Sequence, residues 1–408
     1  MINTINFLLL TMIVILMVPV LTLFLQVLLA ALPKLRDSSL LISNNLNIPT
    51  IAVIVPAHNE STGILNTLNS IAPQLTSQDY LLVVADNCTD VTASVVRGAF
   101  KNNVENWRSK LELIERTDQY LRGKGYALDF GIKHCQQLPP DVVVIIDADC
   151  LADVNAIASL AAKCMLEKKP IQARYLMRSP ENSNLKTQIA EFAMRVKNRL
   201  RPLGFNKLGL PCQLMGTGMA FLWADINKIN LASGHIVEDL KMGLDLSKIG
   251  QYPIFYDENE VYSYFPSANQ GFVEQRSRWE HGHMHVILQD APNIFLQSIL
   301  KLDYKLFALA LDLIVPPLAL LTIFNTTVMV LAIIFYTMST DAVPLLLAVI
   351  SNTVLFITVF LAWISVGKDI LSLKQLLFLP LYLIQKIPLY IKFVFNRQVA
   401  WVRTKRDK

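Results

Sequence analysis

The sequence is poor in charged residues, which make up only 17% of its 408 positions, while hydrophobic residues make up 53%. Soluble globular proteins average about 25% charged and about 45–50% apolar residues. The imbalance excludes a wholly soluble chain of ordinary composition and predicts segments that lie in lipid. The net charge of +5 is modest and is concentrated in the C-terminal tail, residues 402–408. That tail suits the cytosolic flank of a membrane segment, so we expect no nucleic-acid partner.

Cysteines are few and show no paired spacing. They follow no CxxC pattern and their number is odd. Both facts argue against a disulfide framework and against a structural zinc site, which needs closely spaced ligand pairs. We therefore expect the part of the chain outside the membrane to face a reducing cytosol. The five cysteines are Cys88, Cys135, Cys150, Cys164 and Cys212.

A long apolar run near the N-terminus predicts a membrane helix. Ile5 to Leu32 carries no charge, and about 20 such residues suffice to cross the hydrocarbon core of a bilayer. The run lacks the charged start and the cleavage site of a signal peptide. Because Lys34 and Arg36 follow it directly, the positive-inside rule places the N-terminus outside and the next part of the chain in the cytosol. We expect residues 1–35 to form this transmembrane helix.

Further apolar runs occupy the C-terminal quarter of the chain. Leu306 to Met338 is interrupted by Pro316-Pro317, and a second run spans Val343 to Val366. We predict an interfacial segment over 291–316 and a transmembrane hairpin over 317–367, since the loop between the runs has no positive charge. Residues 372–408 include cations and a proline, which favours an amphipathic helix lying on the membrane, followed by a basic cytosolic tail. The prediction is thus three spanning helices.

The middle of the chain, residues 45–290, has the pattern of an α/β domain. Ile51 to Pro56, Leu81 to Asp86 and Val142 to Asp147 are continuous apolar runs rich in β-branched residues. Such runs are typical of strands buried on both faces of a parallel sheet. Helix-length stretches separate them, which predicts a mainly parallel, Rossmann-like sheet. Each run ends in polar residues, and ligands bind at that edge of open α/β sheets.

Asp147 and Asp149 follow the third of these strands and are separated by one small residue. Two carboxylates so placed can point at one hard cation, and Mg²⁺ or Mn²⁺ prefers oxygen ligands shared with substrate phosphates. An acidic pair at a strand end also serves as a helix cap, so the motif alone leaves both interpretations open. The buried strand before it and the two other polar strand ends favour a metal site.

Three other short motifs are ambiguous when each is taken alone. Asp86 begins the sequence DNCTD and is suited either to base recognition or to a turn or helix cap. Lys124 lies in RGKG, which suits an anion site or an ordinary exposed turn. The glycines of Gly216-Thr217-Gly218 allow close approach of a ligand or simply a tight turn.

Two charged motifs complete the set. Glu238-Asp239 offers either a general base for an acceptor hydroxyl or a favourable charge at a helix N-terminus. In Gln275 to Trp279 (QRSRW), the two arginines can hold a diphosphate through forked hydrogen bonds, and the tryptophan offers a stacking face. The i, i+2 spacing of His281, His283 and His285 suits a strand or loop better than one face of a helix, and a polar interfacial stretch is a better interpretation of them than a metal site.

Taken in order, VPAHNE, ADNCTD, RGKG, DAD, GTG, ED and QRSRW resemble the family-2 glycosyltransferases of GT-A fold. The resemblance is to the membrane-embedded cellulose, chitin and hyaluronan synthases and their glycolipid-forming relatives, and it covers residues 50 to 285. It implies an inverting transferase that uses Mg²⁺ or Mn²⁺ and moves a sugar from a UDP-sugar into a β-linkage. The apolar runs on either side suit the membrane arrangement of that family.

The resemblance also implies a role for each motif residue. Asp239 would act as general base with support from Glu238, and the metal would bind Asp149 chiefly, and Asp147. The nucleotide-sugar would lie against Pro56, Glu60, Asp86, Lys124, Asp147, Gln275, Arg278 and Trp279. The acceptor would lie against Thr217, Gly218 and Trp279.

The sequence departs from the family in two respects. Val237 stands where the family often has Thr before the Glu-Asp pair. Three spanning helices hardly enclose a polar channel, and the last two apolar runs contain no charge to line one. We therefore expect transfer to a lipid-linked or glycan acceptor at the plasma or inner membrane, in exopolysaccharide or glycolipid synthesis. One alternative is a processive β-polysaccharide synthase of the chitin, hyaluronan or poly-N-acetylglucosamine type, in which a homo-oligomer could build the pore. The other alternative is a non-catalytic membrane scaffold.

Overall fold

The computed structural model describes residues 2–33, 49–103, 107–266, 269–376 and 378–395. Within these residues the chain forms two compact units. The sheet unit takes its residues from 49–180 and 211–279, and the helical unit from 2–33, 181–210 and 280–395. Lys34, Arg36 and the basic tail, which carry part of the predicted membrane orientation, lie outside the described residues.

The described residues of the sheet unit form eight strands in one sheet. In chain order they are β1 (Ile51–Ala57), β2 (Tyr80–Asp86), β3 (Lys110–Arg116), β4 (Val142–Ile145), β5 (Leu151–Ala152), β6 (Ile171–Arg178), β7 (Met219–Leu222) and β8 (Ile254–Tyr264). Their spatial order is β3-β2-β1-β4-β7-β6-β8-β5.

Sixteen α-helices accompany the strands in the described part of the chain. The first nine are α1 (Ile2–Ala31), α2 (Ile64–Ile71), α3 (Thr92–Asn102), α4 (Lys124–Cys135), α5 (Ala156–Glu167), α6 (Leu185–Arg195), α7 (Arg201–Asn206), α8 (Trp223–Ile226) and α9 (Glu238–Lys248). The others are α10 (Asn269–Gln289), α11 (Ala291–Leu300), α12 (Tyr304–Leu313), α13 (Leu318–Ser339), α14 (Val343–Val366), α15 (Leu373–Leu376) and α16 (Leu379–Phe395). A 3₁₀ turn (Ala72–Gln74) follows α2, and a π-helical turn (Val196–Leu200) joins α6 to α7.

The first four strands of the spatial order form a parallel half-sheet. β1 pairs in parallel with β2 and β4, and β2 pairs in parallel with β3. Every residue of β2 and β4 is buried, as are all but one residue of β1. This burial on both faces confirms the interpretation of the β-branched runs. β7 reverses direction against β4 and β6, so the sheet is mixed although mostly parallel.

Among its described residues, the helical unit has three helices that are long and apolar enough to cross a membrane: α1, α13 and α14. This agrees with the predicted number of spans. The interruption at Pro316-Pro317 is also present, because α12 ends at Leu313 and α13 begins at Leu318. Proline lacks the backbone N–H that would continue the helix, which explains the break.

A buried polar cluster lies inside the helical unit. Asp312 accepts hydrogen bonds from Gln26 Nε2 at 2.6 Å and from the Arg201 guanidinium at 2.8 Å. All three side chains are buried. A buried charge is tolerated only when it is paired and hydrogen-bonded, so this cluster explains how Asp312 is accommodated beside apolar helices.

Two features differ from the expectations from sequence. Residues 181–210 fall inside the predicted domain of residues 45–290 but belong to the helical unit. There Phe192 and Val196 share an apolar cluster with Val20 and Leu23 of α1. The interpretation of the histidine spacing as a strand or loop was wrong, because all three histidines lie on α10. His281 and His283 lie two positions apart on that helix and are both buried. The i, i+2 spacing therefore reflects packing on more than one side of the helix.

Candidate active site

Asp147 and Asp149 lie just beyond the end of β4, at the carboxyl edge of the parallel strands. A carboxylate oxygen of each and the Cys150 sulfur lie within 4.8 Å of one another. Cys150 is fully buried, and its thiol donates to Asp149 Oδ1 at 3.6 Å. Burial and the two carboxylates raise the pKa of this thiol well above its usual value. The thiol therefore stays protonated, and the two carboxylates offer the hard oxygen ligands that suit Mg²⁺ or Mn²⁺.

Lys124 is the first residue of α4 and links the acidic motifs. Its ammonium group forms an ion pair with Asp147 and lies 3.8 Å from Glu238 Oε1. It also donates to the carbonyl oxygen of Gly216 at 2.7 Å. Although burial opposes a charge here, Asp147 and Glu238 raise the pKa of Lys124. The lysine therefore remains a cation between Asp147 and Glu238.

The Gly216-Thr217-Gly218 turn lies directly against these residues. Gly216 and Gly218 have φ angles of +92° and +65°, which side chains other than glycine adopt rarely. Thr217 is fully buried, and its Oγ1 accepts a hydrogen bond from the backbone N–H of Asp147 at 3.0 Å. The structure thus places Thr217 beneath Asp147. Contact of Thr217 and Gly218 with an acceptor stays a prediction.

Glu238 and Asp239 begin α9. A Cβ atom built on Gly216 would lie 3.3 Å from Asp239 Oδ2 and 3.4 Å from Lys124 Nζ. The structure therefore brings Asp239, Lys124 and Asp147 together around the backbone of Gly216. Burial, with further contributions from Asp239 and Asp147, raises the pKa of Glu238 from 4.5 to about 8 against the opposing effect of Lys124. Glu238 is accordingly protonated at neutral pH.

Asp86 ends β2 and is buried with a cationic partner. Arg116, the last residue of β3, donates to Asp86 Oδ1 at 2.6 Å. The Arg116 guanidinium also lies 5.6 Å from the centre of the Tyr126 ring. Sequence reasoning missed Arg116, although its position at the end of a strand neighbouring β2 is the signal that could have found it.

Pro56 and Glu60 lie at the same edge of the sheet. Pro56 is the penultimate residue of β1. The chain then turns through Asn59, which has a φ of +56°, and the backbone N–H of Glu60 donates to Thr92 Oγ1 at 2.8 Å. His58 Nδ1 lies 2.7 Å from the carbonyl oxygen of Asp86. The ends of β1 and β2 are thus held together by side-chain hydrogen bonds.

Gln275, Arg278 and Trp279 lie on α10 within the sheet unit. The Gln275 side chain is buried, and its Oε1 accepts no hydrogen bond from the described residues. Arg278 and Trp279 are partly exposed. Their predicted role beside a nucleotide-sugar stays a prediction.

Comparison of the sequence with protein families identifies the domain that contains these site residues. A family model described as "Glycosyltransferase like family 2" matches residues 49–282. This range contains every strand and all the motifs described above, and it is more than half of the 408 residues. The chain belongs to glycosyltransferase family 2. The resemblance inferred from the motifs is thereby confirmed.

This family-2 glycosyltransferase has curated relatives of low identity. It is 23% identical over 279 residues to the "Probable glycosyltransferase YdaM" of Bacillus subtilis (strain 168), covering 67% of this chain and 62% of YdaM. It is 24% identical over 271 residues to the "Poly-beta-1,6-N-acetyl-D-glucosamine synthase" of Staphylococcus aureus (strain COL), covering 65% of this chain and 61% of the synthase. The chain therefore spans less than two thirds of the length of these relatives.

A solved structure is similar in fold to this family-2 glycosyltransferase over most of the chain. The mannosyltransferase PcManGT from Pyrobaculum calidifontis, solved in complex with GDP-Man and Mn²⁺, aligns with a TM-score of 0.54 and 18% identity. The alignment covers 86% of this chain and 99% of PcManGT. The likeness supports the GT-A fold that the motif resemblance implied.

Proposed function

We propose that the protein is an inverting glycosyltransferase that moves a sugar from a UDP-sugar to a membrane-associated acceptor, either lipid-linked or glycan. The product would carry a β-linkage and serve exopolysaccharide or glycolipid synthesis. The observation that carries this proposal is the convergence of Asp147, Lys124 and Asp239 around Gly216 in a family-2 domain. A metal-ligand pair, a cation and a candidate base within one site are the parts that sugar transfer requires.

The donor would bind along the carboxyl edge of β1, β2 and β4. Asp86 is suited to accept a hydrogen bond from the N–H of a uracil ring, and Arg116 holds that carboxylate in place. Lys124 lies where an ammonium group can offset the negative charge of the diphosphate. Asp149 and Asp147 would hold Mg²⁺ or Mn²⁺, which supplies positive charge for the departing UDP.

Asp239 is the residue suited to take the proton from the acceptor hydroxyl. The acceptor oxygen would attack the anomeric carbon on the face opposite the diphosphate, so the C–O bond to UDP breaks as the new bond forms. The acceptor proton would pass to Asp239 Oδ2, which faces the same backbone as Lys124. Since Glu238 is protonated at neutral pH, it adds no second negative charge, and its proper role is to position its neighbour.

The acceptor is proposed to be membrane-associated because three helices in the described part of the chain are long and apolar enough to span a bilayer. With this arrangement the protein would be an integral protein of the plasma or inner membrane, and the sheet unit would face the cytosol, where UDP-sugars are made. Membrane lipids would then surround α1, α13 and α14.

Processive synthesis is a second candidate. It is favoured by the similarity to the poly-β-1,6-N-acetylglucosamine synthase, which extends over 65% of this chain. The two candidates differ in the product, since single transfer gives a glycolipid of fixed size and processive synthesis gives a ladder of long chains. Radiolabelled UDP-sugars incubated with native lipid extract, followed by sizing of the product, would distinguish them.

Replacement of Asp149 tests the proposed donor site. Asp149→Ala removes a metal ligand, so we expect turnover of a UDP-sugar to fall by at least about 100-fold, in keeping with the loss of electrostatic stabilisation of a leaving group. UDP release from the purified protein with Mn²⁺ is the measurement.

Asp129→Ala is the matched control, because Asp129 lies farther along α4 and forms an ion pair with the exposed Lys133. It should leave turnover unchanged. Full turnover by wild-type protein in EDTA, or by the Asp149 variant with Mn²⁺, would show the metal assignment to be wrong.

A further inference from the structure

Gln172, on β6, makes three hydrogen bonds from a fully buried side chain. Its Oε1 accepts from the backbone N–H of Met215 at 2.8 Å. Its Nε2 donates to the carbonyl oxygens of Thr217 and Ala173, both at 2.9 Å. The amide therefore fastens both ends of the segment 215–217 to the strand beneath it.

The segment held by Gln172 has little freedom of its own. A Cβ atom on Gly218 would lie 2.9 Å from the Ala173 Cβ and 3.0 Å from Val261 Cγ2. Gly218 also donates its N–H to Ile145 and accepts from the N–H of Ala173, at 2.9 Å and 2.8 Å. The far end of the turn is thus clamped between β4 and β6, while the near end depends on the Gln172 amide.

The same short turn supplies the contacts that fix the proposed donor site. Gly216 offers its carbonyl oxygen to Lys124 at 2.7 Å, and Thr217 Oγ1 receives the N–H of Asp147 at 3.0 Å. If the turn shifted, both Lys124 and Asp147 would lose a fixed partner. Gln172 itself is sealed from solvent, so it reaches the site only through this turn.

We propose that Gln172 is a positioning residue for sugar transfer. Its amide fixes the backbone of residues 215–217. This segment aligns the Lys124 ammonium group with the Asp147 carboxylate, so that they can bind the diphosphate and its metal. The inference rests on the proposed function and extends it to a residue that touches neither donor nor acceptor. Partners that hydrogen-bond directly to a metal ligand, as Thr217 does to Asp147, alter metal affinity or activity by about 10–100-fold when they are lost, and Gln172 holds that partner in place.

Gln74 provides a matched control with the same set of hydrogen bonds. Its Nε2 donates to the carbonyl oxygens of Ser70 and Asp153, and its Oε1 accepts from the N–H of Ile157. It joins the end of α2 to the start of α5 instead of supporting the 215–217 turn. A leucine at either position removes one accepted and two donated bonds, so loss of stability alone would affect both variants.

The experiment compares Gln172→Leu and Gln74→Leu in the full-length protein in detergent. Thermal unfolding reports stability, and electron paramagnetic resonance of Mn²⁺ titrated in the presence of UDP reports metal binding without any turnover. We expect both variants to unfold at lower temperature. Only Gln172→Leu should bind Mn²⁺ at least about 10-fold more weakly and lose kcat by about 10–100-fold.

Gln172→Met serves if the leucine variant fails to fold. Its unbranched side chain follows the path of glutamine but does not replace the three hydrogen bonds to the backbone of Met215, Thr217 and Ala173, so we expect the same fall in Mn²⁺ affinity as in Gln172→Leu. Equal Mn²⁺ affinity in wild type and both Gln172 variants, or an equal fall in the Gln172 and Gln74 leucine variants, would overturn the inference. Wild-type protein that binds no Mn²⁺ with UDP would instead overturn the proposed function on which the inference rests.

Discussion

At the scale of single residues, the site is an arrangement of acids around one lysine. Lys124 lies between Asp147 and Glu238 and binds the backbone of Gly216. Burying several carboxylates together is costly unless a cation offsets them or a proton neutralises one of them. Here both occur, because Lys124 stays charged and Glu238 keeps its proton at neutral pH.

The raised pKa of Glu238 predicts how the stability of the protein changes with pH. The folded protein holds a proton on Glu238 up to pH of about 8, whereas the unfolded chain releases it near 4.5. The free energy of unfolding should therefore fall as pH rises between these values. Glu238→Gln, which cannot ionise, should escape this loss.

The measurement is thermal unfolding of both proteins in EDTA from pH 5 to pH 9. We expect the melting temperature of Glu238→Gln to rise relative to wild type by at least about 2 °C, the shift that about 1 kcal/mol produces in a domain of this size. A temperature difference that stays constant over this range would contradict the assigned protonation. Asp129→Asn, at a surface pair, should show no such trend.

Sequence reasoning found most of these residues but not what they contact. Asp147 and Asp149 stood out because they follow an apolar run, and Glu238 and Asp239 stood out because they form a second acidic pair. Arg116 and Gln172 did not, because their importance depends on pairing between strands distant in the sequence. The residues suited to bind a metal or a substrate can therefore be recognised in the sequence. The residues that support them can be recognised only in the folded structure.

At the scale of elements, the strands lie where the apolar runs predicted them, whereas the helices were harder to assign. β1, β2 and β4 are buried on both faces, which is the property their composition predicts. Residues 181–210 carry apolar side chains at helical spacing, and such a face suits a protein core and a membrane helix equally well. Only the structure shows that α6 and α7 belong with α1.

The contact between α1 and α7 makes a prediction about packing. A Cβ atom on Gly204 would lie 1.9 Å from the carbonyl oxygen of Gln26, which is backbone and cannot move aside alone. Gly204→Ala should force the two helices apart, at a cost of about 1–3 kcal/mol. It should also strain the hydrogen bonds that join Gln26 and Arg201 to Asp312.

Gly98→Ala is the control for this packing test, because a Cβ atom at position 98 of α3 would meet no atom within 4 Å. In a helix this change stabilises by about 0.5–1 kcal/mol. Melting temperatures in one detergent should therefore move in opposite directions for the two variants. An unchanged or raised melting temperature for Gly204→Ala would contradict the close packing of α1 and α7.

At the scale of the whole molecule, the chain combines a GT-A sheet unit with a helical unit that contains three candidate membrane spans. The family, the mainly parallel sheet and the number of spans were all predictable, since each depends on repeated patterns along many residues. The assignment of residues 181–210 to the helical unit was not predictable, because no change of composition marks this segment. Donor, acceptor and processivity depend on the shape of the binding pocket, which the sequence motifs do not determine.

The most direct test of the central claim is a comparison of wild type with Asp239→Asn in native lipid extract. Binding of a UDP-sugar with Mn²⁺ and transfer of its labelled sugar to lipid or glycan should be measured on the same samples. We predict that the variant binds the donor as wild type does yet loses at least about 100-fold in transfer, because it lacks the general base. Equal transfer by the two proteins, or no transfer by wild type from any UDP-sugar, would contradict the account.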